Sequence, residues 1–339
     1  MRVAAWDGHM LHDVAIWRPA APDGVGDLHR GRVTARVRAM GGCFVALDGA
    51  EGFLPESEGQ ASEGQMIGVR ITRAAQGGKG PRLSARLSDA QTAMLGSGPP
   101  ALLARGPDAL ARLQALHPQA EIVHDTVLHP AFPPELEEAW EALAAPHAPL
   151  PGGAVMQVHP TPALVAIDID LGAATGARES KQRSQREANR ALLPELARQI
   201  RLRNLGGAIV VDLGGMTAKE RVALAPDFTR ALAEDPLQPR FLGFTALGLA
   251  EILRPRIHPM LHETLAGPHA AGLAGLRQLC RTAAAQPAQA LALRASADVA
   301  AALQADGFAR EDVRARTGRD LLLTLDRTLP PCRCVVETA

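Results

Sequence analysis

The sequence lacks the excess of charge that would let a chain bind nucleic acid through overall charge alone. Of its 339 residues, 36 are Lys or Arg and 36 are Asp or Glu, so the formal net charge is zero. This balance does not exclude local basic patches. Lysine is scarce (Lys79, Lys181 and Lys219), so nearly all basic side chains are arginines. Arginine suits bidentate phosphate contacts, but the bias is explained more simply by genome composition.

Cysteines and long apolar runs are also few. The four cysteines are Cys43, Cys280, Cys332 and Cys334, and they form no regular disulfide framework, which indicates a reducing compartment. The sequence Cys332-Arg-Cys334 has no partner pair, so no zinc site is expected. No run of about 18 apolar residues occurs, and no apolar signal peptide is evident. We therefore expect no membrane span and a cytoplasmic protein.

Two apolar stretches end in carboxylates, and they organise the prediction of function. The segments 164–170 and 207–213 each read as a buried strand, and the residues between them read as one long helix. Side chains alternate along a strand, so Asp168 and Asp170 share the face opposite the apolar residues. A strand–helix–strand unit makes its two strands parallel, which brings Asp168 and Asp212 to one edge. Such hard oxygen ligands suit Mg²⁺.

The long helix is rich in cations. It is predicted to span roughly residues 179–204. The sequence from Arg178 to Arg203 contains eight basic residues and three acidic ones. Arg178 and Lys181 lie nearest the predicted metal site, and we expect them to attract phosphate. The alternative is an ordinary solvated helix face with i,i+4 pairs.

Residues 26–87 have the short strands and frequent turns of a small barrel. The order of motifs in this segment resembles an S1 domain, a five-stranded barrel of the OB type. The resemblance implies a stacking platform for single-stranded RNA, made by Phe44 and Phe53. The expected phosphate contacts are Arg30, Arg32, Lys79 and Arg82. The alternative is that both phenylalanines are core residues of the barrel.

Five further motifs together resemble the catalytic core of the ribonuclease E/G family. They are Ala166–Asp170, Glu187–Asn189, Ala197–Gly207, Val211–Asp212 and Gly248–Glu251, and the part from Arg198 to Gly207 is the most specific. With the barrel, the resemblance covers roughly residues 26–87 and 149–262. It implies an α/β multidomain fold: an S1 barrel inserted in an RNase H-like subdomain, followed by a DNase I-like α/β subdomain that carries the metal site.

By this resemblance the domain bounds are 1–25 with 88–160 for the RNase H-like subdomain, 26–87 for the S1 domain and 161–269 for the catalytic subdomain. Residues 270–339 form a small C-terminal α/β appendage. Within the catalytic part, the capping-box sequence from Thr217 to Glu220 predicts a helix to about Glu234, and residues 241–245 predict a strand. Residues 248–253 are predicted to form a short helix.

The resemblance also implies the site residues and the reaction. Asp168 and Asp212 would be ligands of Mg²⁺, with Mn²⁺ as an alternative ion. Asp170 stands where the family normally has Asn, so metal affinity or pH dependence is expected to differ. In the family, water attacks the phosphodiester and leaves 5′-phosphate and 3′-hydroxyl ends.

Several family features are missing from this sequence. Ala246 stands where the family usually has Arg. No Arg-Thr pair that would sense a 5′-monophosphate is found between residues 88 and 150. The Cys-Pro-x-Cys zinc link between protomers is absent, so any oligomer is expected to form without a shared zinc ion.

The sequence thus predicts a Mg²⁺-dependent endoribonuclease that cleaves single-stranded RNA. The first alternative is an RNA-binding protein of the same fold that is catalytically weak or inactive, favoured by Ala246 and the missing sensor. A nuclease acting on DNA is a third class, which the S1-like barrel disfavours.

Overall fold

The computed structural model describes residues 1–126, 131–172 and 178–339 of the chain, and in the long helix it describes side chains from residue 186 onward. An antiparallel hairpin comes first, formed by β1 (Arg2–Trp6) and β2 (Leu11–Ile16). Among the described residues, no helix is long and apolar enough to cross a membrane.

A closed β-barrel follows the hairpin. Its strands are β3 (Leu28–Val37), β4 (Gly42–Ala46), β5 (Glu51–Pro55), β6 (Met66–Arg73) and β7 (Arg82–Ser84). They pair in the order β3–β4–β5–β7–β6 and back to β3, with β5 and β7 parallel. The inward side chains, among them Val45, Leu54, Val69 and Leu83, form a continuous apolar core. The predicted five-stranded barrel is confirmed, and its topology is consistent with an S1 or OB-type barrel.

Short elements connect the barrel to the next sheet. They are α1 (Asp89–Ala93), β8 (Ala101–Ala104), α2 (Ala109–Leu116) and α3 (Pro134–Ala142). Strand β8 pairs with β3 on the outside of the barrel.

A mixed sheet forms the centre of the predicted catalytic part. Its elements are β9 (His147–Pro149), β10 (Val155–Pro160), β11 (Val165–Asp170), α4 (Arg178–Leu202), β12 (Gly207–Leu213), α5 (Ala218–Leu232), β13 (Arg240–Phe244) and β14 (Ala250–Arg254). The strand order is β13–β14–β12–β11–β10–β9, and β11 runs parallel to β12. The predicted strand–helix–strand unit is therefore confirmed.

The two crossover helices cover one face of this sheet. Leu192, Leu196 and Ile200 of α4 and Leu224 and Phe228 of α5 pack in one core with the apolar side chains of β11 and β12. Helix α5 begins where the capping box predicted, since the Thr217 hydroxyl accepts from the Glu220 amide and the Glu220 carboxylate accepts from the Thr217 amide. The opposite face of the sheet, here called the open face, carries exposed residues.

The predicted helix at residues 248–253 is wrong, because this segment is strand β14. Its backbone pairs with β12 on one side and with β13 on the other. A short apolar run fits a helix or a strand equally well, and here two neighbouring strands supply the hydrogen-bond partners.

The C-terminal elements form a small α/β unit. They are α6 (Leu261–Leu265), α7 (Gly267–Ala285), β15 (Leu291–Ala295), α8 (Ala297–Ala305), α9 (Gly307–Thr317), β16 (Leu322–Leu325) and β17 (Cys334–Thr338). Strand β15 lies between β16 and β17. The predicted boundary at residues 160 and 161 falls between the paired strands β10 and β11, and the assignment of domains stays a prediction.

The last turns of α4 hold neighbouring segments together. Arg198 donates to the carbonyl of Leu11 at 2.6 Å, and Arg201 donates to the carbonyl of His12 at 3.0 Å. The buried Arg203 donates to carbonyls in the segment 142–147 that follows α3, at 2.6 to 3.2 Å. These cations are therefore structural, and phosphate attraction by Arg178 and Lys181 in the first half of α4 stays a prediction.

We expect Arg203→Ala to lower the free energy of unfolding by about 3 kcal/mol, because several buried carbonyls lose their donor. Arg203→Lys keeps the charge but loses the planar fork, so it should cost about 2 kcal/mol. Urea unfolding would measure both variants. The matched control is Arg190→Gln on the exposed face of α4, where the lost ion pair with Asp227 is solvent-accessible and should cost less than about 1 kcal/mol. Equal stabilities of Arg203→Ala and the control would contradict this role.

Candidate metal centre and nucleic-acid interface

Asp168 and Asp212 are register partners on the parallel strands β11 and β12. Neighbouring strands lie about 4.8 Å apart, so the two side chains leave the sheet side by side. Both are exposed, whereas Ile167, Ile169 and Val211 on the other face are buried. The alternation of the strands therefore directs both carboxylates to the open face.

Among the described residues, no basic side chain neutralises the two carboxylates. No hydrogen bond or ion pair joins either side chain to another group among the described residues, although the chain has many arginines. Two adjacent negative charges repel one another, and a divalent cation between them would offset the repulsion. The pair thus has the electrostatics of a cation site.

Asp170 also lies on the open face and is exposed. Its Oδ1 accepts a hydrogen bond from the Gly172 amide at 2.8 Å, which shapes the turn after β11. The carboxylate of Asp170 adds a third negative charge to those of Asp168 and Asp212. An Asn at this position would keep the hydrogen bond and remove the charge.

Gln157 is a polar neighbour that sequence reasoning missed. It is exposed on β10 and is the register partner of Asp168, so its amide lies on the same row as Asp168 and Asp212. Alternation within β10 could have placed Gln157 opposite the buried Met156 and Val158. Only the register between strands brings it beside Asp168.

The donor set of this row fits Mg²⁺. No group of three or more His, Cys, Asp or Glu side chains that could hold an ion occurs among the described residues. Mg²⁺ is commonly bound by one or two carboxylates and keeps several waters. Asp168 and Asp212 supply that number of hard oxygen ligands.

Phe44 and Phe53 lie together on the outer surface of the barrel. They are register partners on β4 and β5, and their rings meet edge to face with centroids 5.5 Å apart. Both are partly exposed and neither belongs to the buried core of the barrel. The alternative of two core phenylalanines is therefore wrong.

Basic side chains continue this row across the barrel. Arg82 on β7 is the register partner of Phe53, and Arg73 on β6 is the register partner of Arg82. Burial lowers the pKa of Arg73, with further contributions from nearby Arg82 and Arg256. Sequence reasoning missed Arg73, since a bulge after Ile71 places it beside Arg82.

The other residues predicted to contact RNA differ in whether their side chains are already hydrogen-bonded within the protein. Arg30 donates to the carbonyls of Leu95 and Pro99 at 2.6 and 2.8 Å, so much of its guanidinium holds that loop. Arg32 and Lys79 are exposed. The side chains of Arg178 and Lys181 lie outside the described part of the chain. RNA contacts by all of these residues stay predictions.

The cysteines at the C-terminal end contact oxygen atoms. The Cys332 thiol donates to Asp298 at 3.5 Å, and the Cys334 thiol donates to the carbonyl of Ala271 at 3.4 Å. Burial raises the pKa of both thiols. These contacts do not test the expectation that zinc is absent.

Comparisons with known proteins match the part of the chain that contains the carboxylate row. A profile of the Ribonuclease E/G family matches residues 117–257. Ribonuclease E of Synechocystis sp. is 35% identical over 124 residues, which are 36% of this chain and 18% of that protein. Ribonuclease G of Escherichia coli (strain K12) is 33% identical over 120 residues, 34% of this chain and 24% of that protein.

A plant relative matches over a slightly longer stretch. The chloroplastic Ribonuclease E/G-like protein of Arabidopsis thaliana is 33% identical over 144 residues, 41% of this chain and 14% of that protein. The chain thus covers a quarter or less of the length of these relatives. The matched residues 117–257 include Asp168, Asp170 and Asp212, so the part of the chain that carries the carboxylate row is similar to the Ribonuclease E/G family.

Proposed function

We propose that this protein is an endoribonuclease that cleaves single-stranded RNA with the help of Mg²⁺ and leaves 5′-phosphate ends. The observation that carries the proposal is the in-register pair of exposed carboxylates, Asp168 and Asp212, within the segment that matches the family. The relatives named ribonuclease support cleavage of RNA as the reaction.

Asp168 and Asp212 would hold the ion, with Mn²⁺ as a substitute. When bound, a divalent ion supplies a water of lowered pKa and stabilises charge that grows on the phosphate oxygens. Gln157 can donate its amide N–H to a phosphate oxygen beside the pair. Asp170 keeps the turn after β11 in place through Gly172 and adds negative charge to the site.

The barrel would hold the RNA strand for cleavage. Bases stack on aromatic rings regardless of sequence, and Phe44 and Phe53 present partly exposed rings next to Arg82 and Arg73. The guanidinium groups would bind the phosphates between stacked bases. This arrangement favours single-stranded RNA over a duplex, whose bases are already stacked.

We expect Asp168→Asn and Asp212→Asn each to lower kcat/KM by at least roughly 100-fold, because each removes a charged ligand of the ion. The assay would follow cleavage of a labelled unstructured RNA with Mg²⁺, and EDTA should abolish cleavage by the unmodified protein. Mapping the product ends would test for the 5′-phosphate.

The matched control is Asp89→Asn, which removes an exposed carboxylate in the first turn of α1. It should cleave at the rate of the unmodified protein. Cleavage that survives both Asp168→Asn and Asp212→Asn would refute the assignment of the metal site.

Asp170→Asn tests the charge at the third position. The variant keeps the oxygen that accepts from Gly172, so the turn should be preserved. Loss of one negative charge near the ion is worth about 1 kcal/mol, so the Mg²⁺ concentration for half-maximal cleavage should rise about fivefold. A titration of cleavage rate against Mg²⁺ measures this change. An unchanged half-maximal concentration would mean that Asp170 does not act on the ion.

Replacing both Phe44 and Phe53 by Leu should weaken binding of single-stranded RNA by roughly 10- to 100-fold, because stacking contributes about 1–3 kcal/mol per base. Fluorescence anisotropy with Asp212→Asn in the background measures binding without cleavage. Phe308→Leu is the control, since Phe308 is an exposed ring on α9. Unchanged affinity would contradict the stacking role.

An unmodified protein that binds RNA but never cleaves it would support the alternative of an RNA-binding protein.

A further inference from the structure

Arginines gather around a small cleft between the N-terminal hairpin and α7, away from the carboxylate row. The cleft is lined by Arg2, Arg18 and Arg277 and by the apolar side chains of Ile16, Trp17 and Leu273. A fourth arginine, Arg281, reaches the same acid as Arg2. The cleft contains no residue of the open face of the central sheet.

One carboxylate serves two of these arginines. Glu137 on α3 accepts from both terminal nitrogens of Arg2 at 2.8 and 2.5 Å, and it lies 3.4 Å from Arg281. Arg2 is also held over the ring of Phe132, 4.3 Å from its centroid. Arg2 is therefore held in place at one side of the cleft. The charge of Glu137 is shared between Arg2 and Arg281.

Among the described residues, neither Arg18 nor Arg277 is paired with a carboxylate, although Glu137 lies close enough to Arg277 to oppose the lowering of its pKa. Arg18 donates through Nη2 to the carbonyl of Thr264, but its Nε is buried and has no hydrogen-bond partner in the described part of the chain. The described residues give Arg277 neither a hydrogen bond nor an ion pair. Burial, and then the neighbouring charge of Arg2, lower the pKa of Arg277 to about 10.

The other nearby acid is engaged elsewhere. Asp306 lies close enough to act on Arg18, but its carboxylate is paired with His269 at 2.8 Å and caps the start of α9. Glu137 is the acid nearest to Arg2, Arg277 and Arg281, so these cations outnumber it. Half-buried guanidinium groups in excess over nearby acids are costly unless a ligand brings negative charge. Guanidinium donors match the oxygen geometry of phosphate.

We propose that this cleft is a phosphate-binding site, in which Arg18 and Arg277 hold the oxygen atoms of one phosphate group. Arg2 lines the cleft on the side of Glu137, and the apolar side chains of Ile16 and Leu273 also line it. The phosphate can come from free inorganic phosphate or from the terminal phosphate of an RNA strand. The site is separate from the proposed cleavage site and does not depend on it.

The test compares the thermal unfolding of the full chain in sodium phosphate and in sodium chloride of equal ionic strength. At a phosphate concentration about tenfold above its dissociation constant, the Tm of the unmodified protein should rise by roughly 2 °C more than in chloride. Arg277→Met should lose this rise. Its own Tm without phosphate should be equal or higher, because a half-buried charge that is repelled by neighbouring arginines has been removed.

Arg18→Gln is the second variant and should also lose the phosphate-dependent rise. Arg314→Gln is the control: Arg314 is an exposed arginine on α9 of the same C-terminal unit, and the rise should be unchanged. A rise no larger in phosphate than in chloride, or an equal rise in the unmodified protein and both cleft variants, overturns the proposal.

The source of the phosphate is distinguished by RNA binding. Oligonucleotides with a 5′-phosphate or a 5′-hydroxyl are compared in the Asp212→Asn background, with and without Arg277→Met. Loss of a 5′-phosphate preference in Arg277→Met identifies the RNA end as the ligand. Equal binding of both oligonucleotides, together with the phosphate-dependent rise in Tm, identifies free phosphate.

Discussion

The pairing of β11 with β12 is the constraint on which the rest of this structure depends. The crossover helix α4 makes the strands parallel, and their register sets Asp168 directly beside Asp212. A slip by one residue would turn either strand over, placing a carboxylate under the helices and a buried side chain such as Ile167 in water. The burial of apolar side chains under α4 and α5 thus fixes the register that places Asp168 beside Asp212 on the open face. The core under α4 and α5 is what holds two repelling charges together on the other face.

The arginines of this neutral chain divide into two populations. Those at the end of α4 and just after it have their donors bound within the protein. Arg203 donates to carbonyls of the segment after α3, while Arg198 and Arg201 donate to carbonyls of β2 and also pair with Glu195 and Asp13. Others keep donors free, at the barrel surface beside Phe53 and in the cleft of Arg277. Sequence patterns do not separate the two populations, because the difference lies in whether a carbonyl or a carboxylate is within reach. This is also why a net charge of zero is compatible with surfaces that attract phosphate.

Secondary structure was predicted correctly where the local sequence pattern was strong. The barrel strands, the long helix α4, and the capping box of α5 follow from alternation, helical length and end chemistry. Predictions failed where the structure of a segment depended on which strands it pairs with. Residues 250–254 form a strand rather than the predicted helix because β12 and β13 flank them and supply hydrogen-bond partners. Gln157 and Arg73 were missed for the same reason, as their positions follow from register and a bulge.

By itself the sequence determined the identity of the acidic pair, the face each carboxylate occupies on its own strand, and the family resemblance. These follow from the period of a strand and from motifs that are contiguous in the chain. Tertiary structure decided which groups became neighbours. It set Gln157 beside Asp168, put Phe44 and Phe53 edge to face on the barrel surface, and left Arg277 without an ion pair among the described residues of its cleft. Distances between residues far apart in the chain depend on the packing of whole elements, which no local pattern encodes.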